Sequence, residues 1–189
     1  MCGIAGIINK QPQTGINSKG FLLQNIKKMT DALAHRGPDG EGHWINELGT
    51  IALGHRRLSI IDLSNAGAQP MQRLLFSSVE GEEKRYTITY NGEIYNYIEL
   101  RDELYSHGYR FHSKTDTEVI LAAYDFWKED CLEKMDGMFA FAIWDAKKKK
   151  LFAARDRFGE KPFYFYFDNN HFVFASEMKA LWAVGIDKT

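Results

Sequence analysis

One residue near the start of the chain could carry two halves of a reaction. Cys2 stands directly behind the initiator methionine in M-C-G-I-A-G-I, and cysteine is small enough for that methionine to be trimmed. Trimming would leave a thiol and a free α-amine on the same residue. The α-amine has a reference pKa of roughly 7.7–8.0, so near neutral pH much of it can accept a proton. A thiol attacks as its thiolate, and a base within hydrogen-bonding reach generates that species. Cys2 could therefore act as nucleophile and base without a distant histidine. Gly3 and Gly6 carry no β-carbon, which would let a substrate and other backbone approach the strand closely. The plain alternative is a buried first strand, which G-I-A-G-I-I fits equally well.

Other residues with chemical capacity lie further along. Arg56 and Arg57 precede the apolar run L-S-I-I, so one guanidinium could be anchored at a pocket wall and grip a carboxylate in a bidentate way. A surface ion pair is the ordinary alternative. Residues 85–91 alternate, with Tyr86, Ile88 and Tyr90 on one face and Arg85, Thr87 and Thr89 on the other, which predicts a half-buried strand. It runs into Asn91-Gly92, usually a hairpin turn. Here Ile94, Tyr97, Leu100 and Leu104 continue at helical spacing, so the pattern predicts a strand–Asn-Gly–helix junction. Such a junction offers a side-chain amide beside a backbone N–H, the composition of an oxyanion hole. Thr115 to Glu118, T-D-T-E, fits a capping box. Asp116 then falls in the first helical turn, where the helix dipole favours a carboxylate regardless of function.

The elements that must position these residues follow from periodicity. Leu22, Ile26, Met29 and Leu33 form the stripe of a helix over 18–34, stopped by H-R-G-P-D-G. His35, Arg36 and Asp39 in that stop read as local ion pairing. Strands are expected at 42–46 and 50–54, a loop at 65–70 and a short strand at 109–112. A helix then runs through Val119, Ile120, Ala123 and Trp127, and Cys131 reads as a packed thiol. The run M-F-A-F-A-I-W at 138–144 is apolar on both faces, the mark of a covered strand. Lys147 to Lys150 form a solvated turn into a strand at 151–155. A hairpin joins 162–167 to 171–175, and Ser176 would cap a last helix over 177–182.

The bulk numbers confine the class. The 189 residues suffice for one sizeable core, and 44% apolar with 26% charged residues is ordinary for a globular protein. A net charge of −1 argues against a nucleic-acid surface. Two cysteines make no disulfide framework, and neither a membrane span nor a signal peptide is legible. The expectation is a single cytoplasmic domain over 1–189.

Together, M-C-G-I-A-G-I, H-R-G-P-D-G, H-R-R-L-S-I-I-D, A-Q-P-M, Y-N-G-E-I-Y-N, T-D-T-E, D-G-M-F-A-F-A-I-W-D, R-D-R-F-G-E-K-P-F-Y and F-A-S-E-M-K-A-L occur in an order that resembles class II glutamine amidotransferase domains. The likeness is greatest to the glutaminase domain of glutamine-hydrolysing asparagine synthetases and spans essentially the whole chain. It implies an α+β fold, the four-layer αββα N-terminal-nucleophile hydrolase sandwich with two antiparallel sheets. It also implies hydrolysis of glutamine to glutamate and ammonia through a Cys2 thioester, without metal or organic cofactor. By the resemblance, Asn91 and Gly92 form the oxyanion hole, Arg57 clamps the substrate α-carboxylate, and Asp116 meets the α-ammonium with help from Glu93. Leu58, Ile60 and Ile61 would line the pocket. Sequence alone leaves an exchange of Arg56 for Arg57 open. Arg36, with His35, Asp39 and residues 155–161, is assigned to scaffold.

The implied partner is an ammonia-accepting synthetase domain, with ATP and Mg expected only there, and a homodimer is a further expectation. That domain, with its Ser-Gly-Gly-rich loop, is not in this sequence, which reads as one excised domain. Alternatives are an amidotransferase serving a sugar phosphate or cell-surface polymer precursor, and a non-catalytic glutamine-binding module. If Met1 stays in place, the Cys2 nitrogen is a peptide nitrogen and the amidase is silent.

Overall fold

The computed structural model describes residues 1–10, 18–59, 65–77 and 81–186. Nine strands form two antiparallel sheets in these residues. The first sheet has the order β2 (Gly40–Ile45), β3 (Ile51–Arg57), β1 (Gly3–Asn9), β9 (His171–Ala175), β8 (Tyr164–Phe167). The second has the order β4 (Met71–Ser77), β5 (Gly81–Ile94), β6 (Gly137–Asp145), β7 (Lys150–Arg155).

The period-2 alternation of the strands sorts side chains into layers. Ile4, Leu53, Ala140, Ala142, Trp144 and Phe174 meet between the sheets. On the outer face of the first sheet, Ala5, Ile7 and Val173 pack under α1 (Ser18–Ala32) and α5 (Met178–Trp182). On the outer face of the second, Tyr86, Ile88, Phe141 and Ile143 pack under α2 (Tyr97–Ser106) and α3 (Asp116–Trp127). The result is the four-layer αββα sandwich. The short α4 (Cys131–Lys134) buries Cys131 as a packed thiol. Among the described residues no helix is long and apolar enough to cross a membrane.

Several local expectations change. The strand at 85–91 is buried on both faces, because Thr87 and Thr89 point into the space between sheets and Thr89 Oγ1 donates to Gly54 O at 2.9 Å. It also does not stop at Asn91-Gly92. β5 continues to Ile94, with Asn91 opposite Ala140 and Gly92 opposite Phe139, and α2 starts only at Tyr97. Residues 109–112 form no strand: the His112 and Ser113 N–H groups donate to the Glu118 carboxylate, which leaves no ladder to join. The capping half of T-D-T-E holds, with Thr115 accepting from Glu118 N. Ser176 caps no helix, since its Oγ accepts from Ile4 N at 2.9 Å. The space beside Gly6 admits no substrate, because a β-carbon there would overlap the Phe174 ring. β4 went unanticipated.

Candidate active site

The start of β1, the end of β3, the end of β5 and the start of α3 converge on one cavity of about 190 Å3. Cys2, Arg57, Leu58, Asn91, Gly92, Glu93 and Asp116 all line it, so every expected site residue within the described chain is gathered there. Ile60 and Ile61 lie outside the described residues.

Strand parity separates the two arginines. β3 runs to Arg57, so neighbouring side chains leave it on opposite faces. Arg56 turns outward, donating to Thr30 O and pairing with Asp31 at 2.6 Å and Glu41 at 2.8 Å. Arg57 turns into the cavity.

Cys2 stands just before β1. Its Sγ accepts from Leu58 N at 3.3 Å and lies 3.6 Å from Leu58 O. Its carbonyl accepts from Arg36 Nε at 2.9 Å. Burial pushes the thiol pKa up, while the Leu58 amide, the chain terminus, Arg57 and Arg36 pull it back. Met1 also lines the cavity, with its Sδ 3.3 Å from the buried Lys161 ammonium.

The second sheet supplies donors. Asn91 shares the inward face of Thr89, is 2% exposed, and its Nδ2 has no acceptor. Backbone register fixes the Gly92 N–H. Phe139, its partner, spends its N–H on Asp156 Oδ2 and its carbonyl on Asp156 N, so the Gly92–Phe139 pair is of the non-hydrogen-bonded kind. The Gly92 N–H therefore points to the other side, beyond the last β4 pairing at Met71 and Ile88. The amides of the same parity confirm the direction: Tyr90 N donates to Gln69 Oε1 and Ile94 N to Asp116 Oδ2. Between them, Gly92 N–H opens on the cavity. A β-carbon on Gly92 would strike Met138 O, so only glycine lets β6 approach so closely.

Asp116 opens α3 with its carboxylate buried. Oδ2 accepts from Tyr90 OH at 2.6 Å and Ile94 N at 3.1 Å. Burial raises its pKa, opposed by those donors and by the first amides of the helix. His55 is fully buried, and its Nε2 sits 3.1 Å from Tyr90 O, which as a carbonyl can only accept. That places the proton on Nε2, while Nδ1 is buried without a partner. Desolvation, offset by the Tyr90 carbonyl and reinforced by Arg57, lowers His55 to about 4, so the ring is neutral near pH 7.

Sequence reasoning missed Arg36, Gln69, Tyr90 and His55 as parts of this site. Arg36 and Gln69 sat in plain view within H-R-G-P-D-G and A-Q-P-M. Nothing in their spacing says that one reaches the Cys2 carbonyl and the other the Tyr90 amide. Among the described residues no group of three or more His, Cys, Asp and Glu side chains could hold a metal ion.

Comparison with known proteins bears on this arrangement. Residues 1–189 match the family described as a glutamine amidotransferase domain. The chain is 45% identical over 181 residues to the Bacillus subtilis protein named asparagine synthetase [glutamine-hydrolyzing] 1, covering 96% of this chain and 26% of that one. It is 43% identical over 192 residues to putative asparagine synthetase [glutamine-hydrolyzing] 2 of Methanocaldococcus jannaschii, covering 97% and 35%. The chain thus spans about a quarter to a third of the length of these relatives. In fold it is similar to the solved glutamine phosphoribosylpyrophosphate amidotransferase of B. subtilis, with a TM-score of 0.76 at 23% identity, over 97% of this chain and 44% of that one. With the family match running from the first residue to the last, this chain belongs to the glutamine amidotransferase domain family.

Proposed function

We propose that this chain, once Met1 is removed, hydrolyses the side-chain amide of glutamine through Cys2 and releases glutamate and ammonia. The observation that carries the reading is a convergence. A thiol, the unpaired Asn91 amide nitrogen, the Gly92 N–H that register turns away from β6, a guanidinium and a carboxylate face one cavity from four separate elements.

In this mechanism Arg57 pairs with the substrate α-carboxylate and Asp116, with Glu93 at the rim, takes the α-ammonium. The free α-amine of Cys2 accepts the thiol proton. The sulfur then bonds to the amide carbon, and the electron pair of the carbonyl moves onto oxygen. Asn91 Nδ2–H, itself 2% exposed, and Gly92 N–H donate to that oxyanion, and donors fixed in place before the charge develops need no reorganisation to stabilise it. The Cys2 α-ammonium returns its proton to the amide nitrogen, the carbonyl re-forms as the C–N bond breaks, and ammonia leaves. Water, deprotonated by the same amine, attacks the γ-glutamyl thioester to give glutamate and the thiol. These steps use side chains, backbone and water alone. The names of the relatives support an asparagine-forming acceptor domain for the ammonia.

The test uses protein matured to begin at Cys2. It should release ammonia from glutamine, whereas Cys2→Ala and the Met1-retaining chain should release none. An electrophilic glutamine analogue should add its mass to residue 2. Ammonia release by Cys2→Ala, or an adduct on any other residue, would falsify the assignment.

A further inference from the structure

Among the segments outside the chemistry above are H-R-G-P-D-G at 35–40 and F-A-S-E-M-K-A-L at 174–181. The fold brings them together behind Cys2. Because Cys2 precedes β1, no strand ladder fixes its carbonyl, which instead accepts from Arg36 Nε. The Arg36 guanidinium is paired through Nη1 to Glu177 Oε1 at 3.0 Å. The same oxygen lies 2.9 Å from His35 Nε2, and Glu177 Oε2 lies 3.0 Å from Lys179 Nζ. Next to Glu177, Ser176 grips Ile4 twice, donating its N–H to Ile4 O and accepting from Ile4 N at Oγ.

Arginine is a long side chain with several staggered states, so a single bond from Nε does not hold a carbonyl in one place. Its Nη2 is buried without an acceptor and contributes no second anchor. Glu177 provides that anchor from a segment already tied to β1. Partial burial disfavours its charge, but bonds from Arg36, Lys179 and His35 outweigh this and carry its carboxyl down to about 2. The anchor is thus ionised throughout the working range.

We infer that Glu177 is a positioning residue for the amidase: by tethering Arg36 it holds the Cys2 carbonyl, and with it the amine and thiol, in the attacking orientation. The inference rests on Cys2 being the nucleophile. Glu177 touches no substrate and acts only through Arg36.

The experiment is a double-mutant cycle on protein matured to Cys2. Glu177→Gln should lower kcat about tenfold, the scale of one lost charge-assisted hydrogen bond. The KM for glutamine should stay within about twofold, because Arg57 and Asp116 are untouched. In an Arg36→Ala background the same substitution should change kcat by less than about twofold, since its route of action is gone. Lys179→Ala, which removes the partner of the outer carboxylate oxygen and a contact to the His35 ring but leaves the Arg36–Glu177 pair in place, should leave kcat within about twofold of the parent. Unchanged kcat in Glu177→Gln, a KM that rises in step, or losses that multiply in the double variant would each overturn the inference. Should Glu177→Gln fail to fold, Glu177→Asp in both backgrounds decides by the same criterion. Failure of the nucleophile assignment shows separately, as activity retained by Cys2→Ala, and would take the tether with it.

Discussion

Under the proposed mechanism, replacing Asn91 with alanine should separate catalysis from stability, because its amide nitrogen is unpaired in the resting fold and is assigned to the oxyanion. Its Nδ2 is buried and has no acceptor. A buried donor left unpaired costs about 1–3 kcal/mol, and truncation removes that cost. Against it stands the space left behind: at about 24 cal/mol per Å3, a few tens of Å3 amounts to about 1 kcal/mol. The balance is neutral to about 2 kcal/mol stabilising. At about 2–4 °C per kcal/mol for a chain of this size, Tm should stay level or rise by several degrees. Catalysis moves the other way. Losing one oxyanion donor costs about 2.7–4 kcal/mol, so kcat for glutamine hydrolysis should fall by about 10²–10³. The assay is ammonia release by the matured protein across a range of glutamine, beside thermal unfolding followed by circular dichroism. An unchanged kcat would mean that the amide does not face the developing charge. A Tm lowered by more than about 4 °C would mean that Nδ2 is bonded in the resting protein, and either result refutes the reasoning.

Two further outcomes follow from buried ionisable groups. Burial raises the Asp116 pKa above its ordinary value, so the folded protein holds that proton more tightly than the unfolded chain. Stability from this group is greatest in acid and is lost as pH rises through the folded pKa. Asp116→Asn should therefore be no less stable than the parent at pH 7. It should raise the KM for glutamine about 30-fold or more, the lower bound for removing one member of a buried charge pair at about 2–5 kcal/mol. An unaltered KM would remove Asp116 from the ammonium site. His55 titrates in the opposite sense, lowered from 6.5 to about 4. Its contribution is present above the unfolded value and is lost as pH falls from about 6.5 towards 4, to a total of about 3 kcal/mol. Urea unfolding at pH 7 and pH 4.5 should reveal that loss, and His55→Gln should flatten it. A pH slope that survives the substitution would place the titrating group elsewhere.

The sequence made legible whatever depends on short-range pattern. The stripe of Leu22, Ile26 and Met29 on α1, with Leu33 just past its end, is buried as its spacing requires, and Thr115 caps α3 as T-D-T-E requires. The family motifs brought Cys2, Arg57, Asn91, Gly92 and Asp116 into one list, and the fold brings them to one cavity. What stayed hidden depends on partners remote in the chain. Asn-Gly looked like the end of a strand because its neighbours Ile94 and Tyr97 fit a helical period. Pairing with β6 keeps the backbone extended three residues further. Thr87 and Thr89 looked exposed because threonine is polar, yet a facing sheet accepts the Thr89 hydroxyl at Gly54 O. Gly6 suggested room for a substrate, and the Phe174 ring fills it. In each case a tertiary contact overrode a local preference that was itself sound.

The same remote contacts bear on what removal of Met1 would change. Residues 2–4 are fixed by groups that do not involve Met1: Arg36 on the Cys2 carbonyl, Leu58 on its sulfur, Ser176 on both backbone groups of Ile4, and β3 alongside. What Met1 itself contributes is a thioether against Lys161 and part of the cavity wall. Its loss would therefore leave the proposed nucleophile, Cys2, where it already stands, while converting a peptide nitrogen that accepts no proton into an amine that does. It would also open the wall beside the thiol. On this geometry the proposed maturation would unmask a site the fold has already built, and the free energy that orients Cys2 would come from folding and not from the cleavage.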